Sequence, residues 1–113
     1  MSEKSIFSKI IAREIPATIE YEDDDFIAIR DINPKAPQHV LLIPKTEYTT
    51  LESVDFEDDA FHARILKLAR KIARDIGIGD NYKLVMNVGT DIQEVHHIHL
   101  HIMGGWHKKE MPQ

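Results

Sequence analysis

The sequence predicts an α+β domain, and three observations carry that prediction. One long amphipathic stretch stands between two groups of short β-rich runs. The connections between neighbouring runs are short, which favours antiparallel pairing. The composition, 42% hydrophobic and 29% charged over 113 residues, is that of a globular chain with one ordinary domain, expected over 1–113.

The elements follow in chain order. Ser5 caps a helix predicted over 6–15, with Phe7, Ile10 and Ile11 on one side, and Pro16 stops it. A short strand over 18–21 leads through an acidic turn at 22–25 into a β-rich run over 26–32. In that run Phe26, Ala28 and Arg30 share one face, while Ile27, Ile29 and Asp31 share the other. Two prolines make 33–37 a loop, and 39–43 reads as a mostly buried strand that ends at Pro44. Residues 45–55 are mixed, with room for a short helical turn.

The clearest helix is predicted over 56–76, where Phe61, Ile65, Leu68, Ala69, Ile72 and Ile76 recur at spacings of three and four. Asp55, Glu57, Asp58 and Asp59 suit its positive N-terminal end, and Lys67, Arg70, Lys71 and Arg74 its second half. Gly77 and Gly79 end it. A strand over 82–88, a loop over 89–93 and a last strand over 95–103 follow, closed by Gly104-Gly105. The tail from Trp106 is short and polar apart from Trp106 and Met111.

Several function classes are disfavoured at once. The formal net charge of −5 argues against partners such as nucleic acid or an anionic membrane, which demand clustered Lys and Arg. The chain has no cysteine, so no disulfide framework, thiolate zinc site or cysteine nucleophile is available. No signal peptide or membrane-spanning run is visible, and a cytoplasmic location is expected.

Four of the seven histidines fall between 96 and 101, and three alternate with apolar residues in the run His97-Ile98-His99-Leu100-His101. On a strand, alternate residues share a face, so three imidazoles line one side while Ile98, Leu100 and Ile102 pack into the core. Imidazoles near their titration point suit either a metal or acid–base and nucleophilic work on a phosphate. The outer two would lie ~14 Å apart along a straight strand, too far to share one ion bound at ~2.0–2.1 Å. Phosphate chemistry is therefore favoured, with no bound metal expected, over a metal-binding module or a merely polar strand face.

The run His97-Ile98-His99-Leu100-His101-Ile102-Met103 resembles the signature of the histidine triad (HIT) family, three histidines alternating with apolar residues. The likeness extends to Ser5-Ile6-Phe7-Ser8-Lys9-Ile10-Ile11 through Ile15-Pro16-Ala17, and to the segment from Arg30-Asp31-Ile32 to Gln38-His39. It continues in Gln93-Glu94-Val95 before the triad and in the glycine pair after it, which points to the Hint branch. The resemblance implies a five-stranded antiparallel sheet with one long and one short helix, two copies of which dimerise into a ten-stranded sheet.

It also implies hydrolysis of purine nucleoside phosphoramidates or acyl nucleotidates through a nucleotidyl-histidine, without a cofactor. The expected ligand is a purine nucleotide such as AMP or GMP. The resemblance implies that His99 is the nucleophile, that His97 and His101 hold the phosphate and orient the nucleophile, and that Glu94 lies near the leaving group. Asp31 would bind the ribose hydroxyls, and Ile6, Phe7, Ile10, Ile29 and Ile32 would clamp the base. Asn87, Gln93, Val95 and His39 are placed beside the phosphate or the triad. The chain departs from the family pattern in a short loop at 89–92 and in its short tail. The rival functions are a dinucleoside polyphosphate hydrolase and a nucleotide-binding scaffold without turnover.

Overall fold

The computed structural model describes residues 5–107. The first four residues and the tail from 108 onward, Met111 included, lie outside the described part. Eight elements follow in order: α1 (Ile6–Ile11), β1 (Ile19–Glu22), β2 (Phe26–Arg30), β3 (Gln38–Pro44), a 3-10 turn (Leu51–Ser53), α2 (Asp59–Asp75), β4 (Tyr82–Val85) and β5 (Leu100–Gly104). The strands form one antiparallel sheet in the order β1-β2-β3-β5-β4. This is the predicted α+β class, with its five strands and one long and one short helix.

The strand alternation read from the sequence divides the protein in two. On one face Phe26, Ala28, Val40, Leu42, Leu100 and Ile102 meet the α2 stripe of Ile65, Leu68, Ala69 and Ile72. Each of the Val, Leu, Ile and Phe side chains among them contributes roughly 1.5–3 kcal/mol. On the other face Ile27, Ile29, Leu41 and Ile43 meet Phe7 and Ile10 of α1. The register sets Leu41 opposite Ile29 on one side and opposite His101 on the other, so His101 shares the α1 face.

Several boundaries differ from expectation. Helix α1 stops at Ile11 rather than at 15, because Arg13 turns into the left-handed region at φ 64. Arg13 N–H then bonds Ile10 O at 3.0 Å and Glu14 N–H bonds Lys9 O at 2.8 Å, the two bonds of a Schellman termination. Helix α2 starts at Asp59, since Asp58 among the four acidic residues is the cap, its carboxylate accepting Phe61 N–H at 3.0 Å. Phe56, expected inside that helix, is 86% exposed. Strand β2 ends at Arg30 and β4 at Val85, each shorter than expected.

The largest correction concerns the last strand, which covers Leu100–Gly104 and not 95–103. Its pairing with β3 runs only from Gln38↔Gly104 to Leu42↔Leu100. Further along, β3 ends in Pro44, which has no N–H to extend a ladder. The carbonyl of Pro44 is instead taken by the ring of His97 at 2.8 Å. Residues 93–99 are therefore a bent, unladdered segment pinned at individual points, such as Ile98 N–H on Tyr48 O at 2.9 Å.

The glycine pair has separate reasons. A Cβ on Gly104 would stand 2.8 Å from Ile78 Cδ1 and 2.9 Å from the Asn81 carbonyl, whereas Gly105 sits at φ +90.

Candidate active site

The site is assembled where the bent segment passes the N-terminus of α1. Phe7 presents its face or edge to two triad rings, 5.8 Å from His97 and 5.0 Å from His99, and His99 lies 5.1 Å from His101, all centroid to centroid. The three histidines thus converge on one face although only His101 belongs to a strand. The straight-strand spacing used above does not apply to His97 and His99.

Hydrogen-bond partners fix the state of each neutral ring, because a carbonyl can only accept and a backbone N–H can only donate. His99 Nδ1–H donates to the His97 carbonyl at 2.8 Å, which leaves a lone pair on His99 Nε2. His97 Nε2–H donates to the Pro44 carbonyl, and Ser5 Oγ lies 2.7 Å from His97 Nδ1, where its hydroxyl donates. Lys35 N–H donates to His39 Nδ1 at 3.0 Å. His39 Nε2–H therefore donates to His101 Nδ1 at 2.9 Å, which places the His101 proton on Nε2. The ring atoms left over are a bare nitrogen on His99 and an N–H on His101. That is one nucleophile and one donor for an anionic oxygen.

Burial favours the neutral form of His97, His39 and His101. It pushes His97 and His39 below the usual imidazole value, and drives His101 down to about 4 with help from His99 and His39. The unfolded chain therefore binds more protons than the folded one as pH falls below the ordinary imidazole value of about 6.5. Stability is full above that pH and is lost toward pH 4, with His101 alone contributing about 2 kcal/mol after allowance for its contact with water. Asp23, held at about 2, matters only at lower pH. Urea unfolding at pH 7 and pH 5 checks this: the midpoint falls at pH 5, and equal midpoints would contradict it.

The other expected site residues separate into two groups. Ile6, Phe7, Ile10, Ile29 and Ile32 line a single cleft together with Asp31, and Glu94, Val95, His99 and His101 complete its rim. Ile32 is 85% exposed at the mouth. Asp31 sits just beyond β2, with Oδ1 accepting Asn33 N–H at 2.9 Å and Oδ2 lying 3.5 Å from His39 Nε2.

His97, His39, Gln93 and Asn87 do not line that cleft. His97 is fully buried with both ring nitrogens occupied, so it has no nitrogen left for a phosphate, and its carbonyl accepts His99 Nδ1–H. His39 stands behind His101. Gln93 is buried and braces the loop, accepting Gly89 N–H and donating to the Thr49 and Val95 carbonyls. Asn87 is exposed beyond the end of β4.

Asp31, His39 and His101 could each bring one metal-ligating atom within 4.8 Å of the others. The ring states fit a cation poorly. Ligation through His39 Nε2 would shift its proton to Nδ1, against the Lys35 N–H. Three groups escaped the sequence: Ser5 as a partner of His97, the Pro44 carbonyl, and Glu47, whose carboxylate accepts Ser5 N–H at 3.0 Å. Their only signal was the helix-capping serine, since the contact between Ser5 and His97 spans 92 positions.

Residues 12–108 match the HIT domain family. The chain belongs to the HIT family. Among relatives of this HIT protein, an uncharacterised HIT-like protein of Synechocystis sp. is 53% identical over 106 residues, 93% of each chain. The purine nucleoside phosphoramidase of Escherichia coli is 48% identical over 107 residues, 93% of this chain and 90% of that one. The crystal structure of a HIT family hydrolase from Legionella pneumophila superposes with a TM-score of 0.86 at 43% identity, covering 97% of this chain and all of the other. The expected enzyme class, a HIT hydrolase, stands with these relatives.

Proposed function

We propose that this protein hydrolyses purine nucleoside phosphoramidates or acyl nucleotidates in the cytoplasm, releasing a nucleoside monophosphate. The carrying observation is the bare Nε2 of His99, fixed by the bond from Nδ1–H to the His97 carbonyl. In the first step a bond forms from His99 Nε2 to phosphorus as the bond from phosphorus to the leaving group breaks, and a departing amine takes up a proton from solvent. Water then attacks phosphorus and gives its proton back to solvent, while the P–Nε2 bond breaks and the lone pair returns to His99. His101 Nε2–H donates to a phosphoryl oxygen. Asp31 accepts from the ribose hydroxyls, Ile10 and Ile29 grip the base, and Glu94 meets the leaving group.

The name of the Escherichia coli relative supports this substrate class. Glu94, exposed on the cleft rim, also sets phosphoramidates above dinucleoside polyphosphates, because a carboxylate repels a polyphosphate leaving group. The same proposal includes a homodimer. The edge strand β4 offers unpaired backbone, and α2 both carries Leu66, 53% exposed, and lines a hollow of about 810 Å³ with residues such as Ala60, Ala63 and Lys67.

The test is a substrate panel with rapid quench and mass detection. Adenosine phosphoramidate is turned over faster than diadenosine polyphosphates, a nucleotidyl adduct appears on His99, and exhaustive chelation leaves the rate unchanged. Absence of both adduct and turnover would leave a nucleotide-binding scaffold. Sedimentation reports the dimer separately.

A further inference from the structure

We propose that Ser5 is a positioning residue for the reaction: its hydroxyl locks the buried ring of His97, on which the nucleophile His99 rests, and couples α1 to the attacking nitrogen. The inference builds on the hydrolase reading above and adds a residue for which the family pattern gave no role beyond helix capping.

Three of the hydrogen bonds of Ser5 converge from different parts of the fold. Its Oγ accepts Ser8 N–H at 3.0 Å, which caps α1. Its backbone N–H donates to Glu47 Oε1 at 3.0 Å, which ties it to the segment after β3. Its hydroxyl donates to His97 Nδ1 at 2.7 Å. His97 is fully buried, and its other nitrogen is already spent on Pro44. Among the described residues Ser5 is the side chain that meets His97 Nδ1, so its hydroxyl fixes the second axis of the ring. The carbonyl of this same residue receives His99 Nδ1–H. The two ring bonds anchor the His97 residue, and a shift of its backbone therefore moves the lone pair of His99. The next residues of α1, Ile6 and Phe7, line the cleft, and Phe7 packs against both rings. Helix, ring and nucleophile thus form one mechanical unit, with Ser5 at its joint.

The competing explanation is that Ser5 is only a helix cap, and glycine separates the two. Glycine caps a helix nearly as well as serine but has no hydroxyl, whereas threonine keeps both functions. Ser5→Gly is expected to lower kcat roughly ten- to hundred-fold with KM little changed, as expected for a small misplacement of a reacting group. Ser5→Thr restores most of it. A cap-only role predicts near-normal turnover for Ser5→Gly.

Imidazole 15N spectra give a readout that does not depend on turnover. In the unaltered protein His97 carries its proton on Nε2 and His99 on Nδ1. In Ser5→Gly the donor that favours neutral His97 is gone, while the Glu47 carboxylate and the His99 ring still face it. The His97 ring then titrates at higher pH, and His99 shifts from one tautomer toward a mixture. Ser5→Gly with unchanged ring signals and kcat, or Ser5→Thr as impaired as Ser5→Gly, overturns the proposal. If the unaltered protein hydrolyses no phosphoramidate, the hydrolase reading falls, and the ring signals still decide the role of Ser5.

Discussion

Substituting His99 with alanine is expected to lower turnover of a nucleoside phosphoramidate by about 10⁴-fold or more, while AMP affinity stays within a few-fold. The size follows from the chemistry. In the proposed mechanism the side chain supplies the nucleophile itself, and removing it forces water to attack phosphorus directly, so no covalent intermediate divides the barrier. Affinity survives because binding rests on other groups. Ile10, Ile29 and Asp31 reach the cleft from α1 and β2 or its end, and His101 retains its Nε2–H. His99 is nearly buried, and alanine leaves a space beside Phe7, so a modest loss of stability accompanies the change. Release of monophosphate and calorimetric titration with AMP measure the two quantities. Turnover near that of the unaltered protein would remove His99 from the nucleophile's role.

His39→Leu is expected to reduce kcat by about 10²-fold, although His39 does not line the cleft. His39 is what tells His101 which nitrogen carries its proton. Without the donor at 2.9 Å, His101 can take the other tautomer and present a lone pair to the phosphoryl oxygen, which repels it. Leucine also leaves the Lys35 N–H without its acceptor. His39→Gln offers an amide donor toward His101 and a carbonyl toward Lys35, and recovers part of the rate. Equal rates for the leucine and glutamine variants would mean that His39 only fills space. Thermal melts of both variants separate that outcome from a fold defect.

The sequence disclosed the fold wherever a pattern was local. The α2 stripe and the alternation in β2 depend on residues three or four, or two, positions apart, and both packed as read. Strand status over 95–99 depended on whether β3 had partners to give, and Pro44, some fifty positions earlier, closed that ladder. The end of α1 depended on one non-glycine residue accepting a left-handed turn, which composition does not announce. In the site, the alternating histidines were plain and so was the face they share, whereas their convergence was not, because the bend over 93–99 replaces the straight strand that would spread them. Their division of labour was not plain either. It is written in the partners of the second nitrogens, namely Ser5, Pro44, the His97 carbonyl and His39, most of them distant in the chain. The same distance hid Gln93, whose amide braces a loop and does not face the cleft.

The sheet acts as a partition, and this shapes how such a protein can diverge. The aliphatic residues under α2 and those under α1 stand on opposite sides of one layer of backbone and form separate clusters. Substitutions in separate clusters combine almost additively. A lineage can therefore exchange Ile10 or Ile29, which line the cleft, for residues of another shape without disturbing Leu68 or Ile72. The half of the molecule that carries most of the packing is free to drift on its own schedule, and new specificities arise by altering a thin layer over an unchanged foundation.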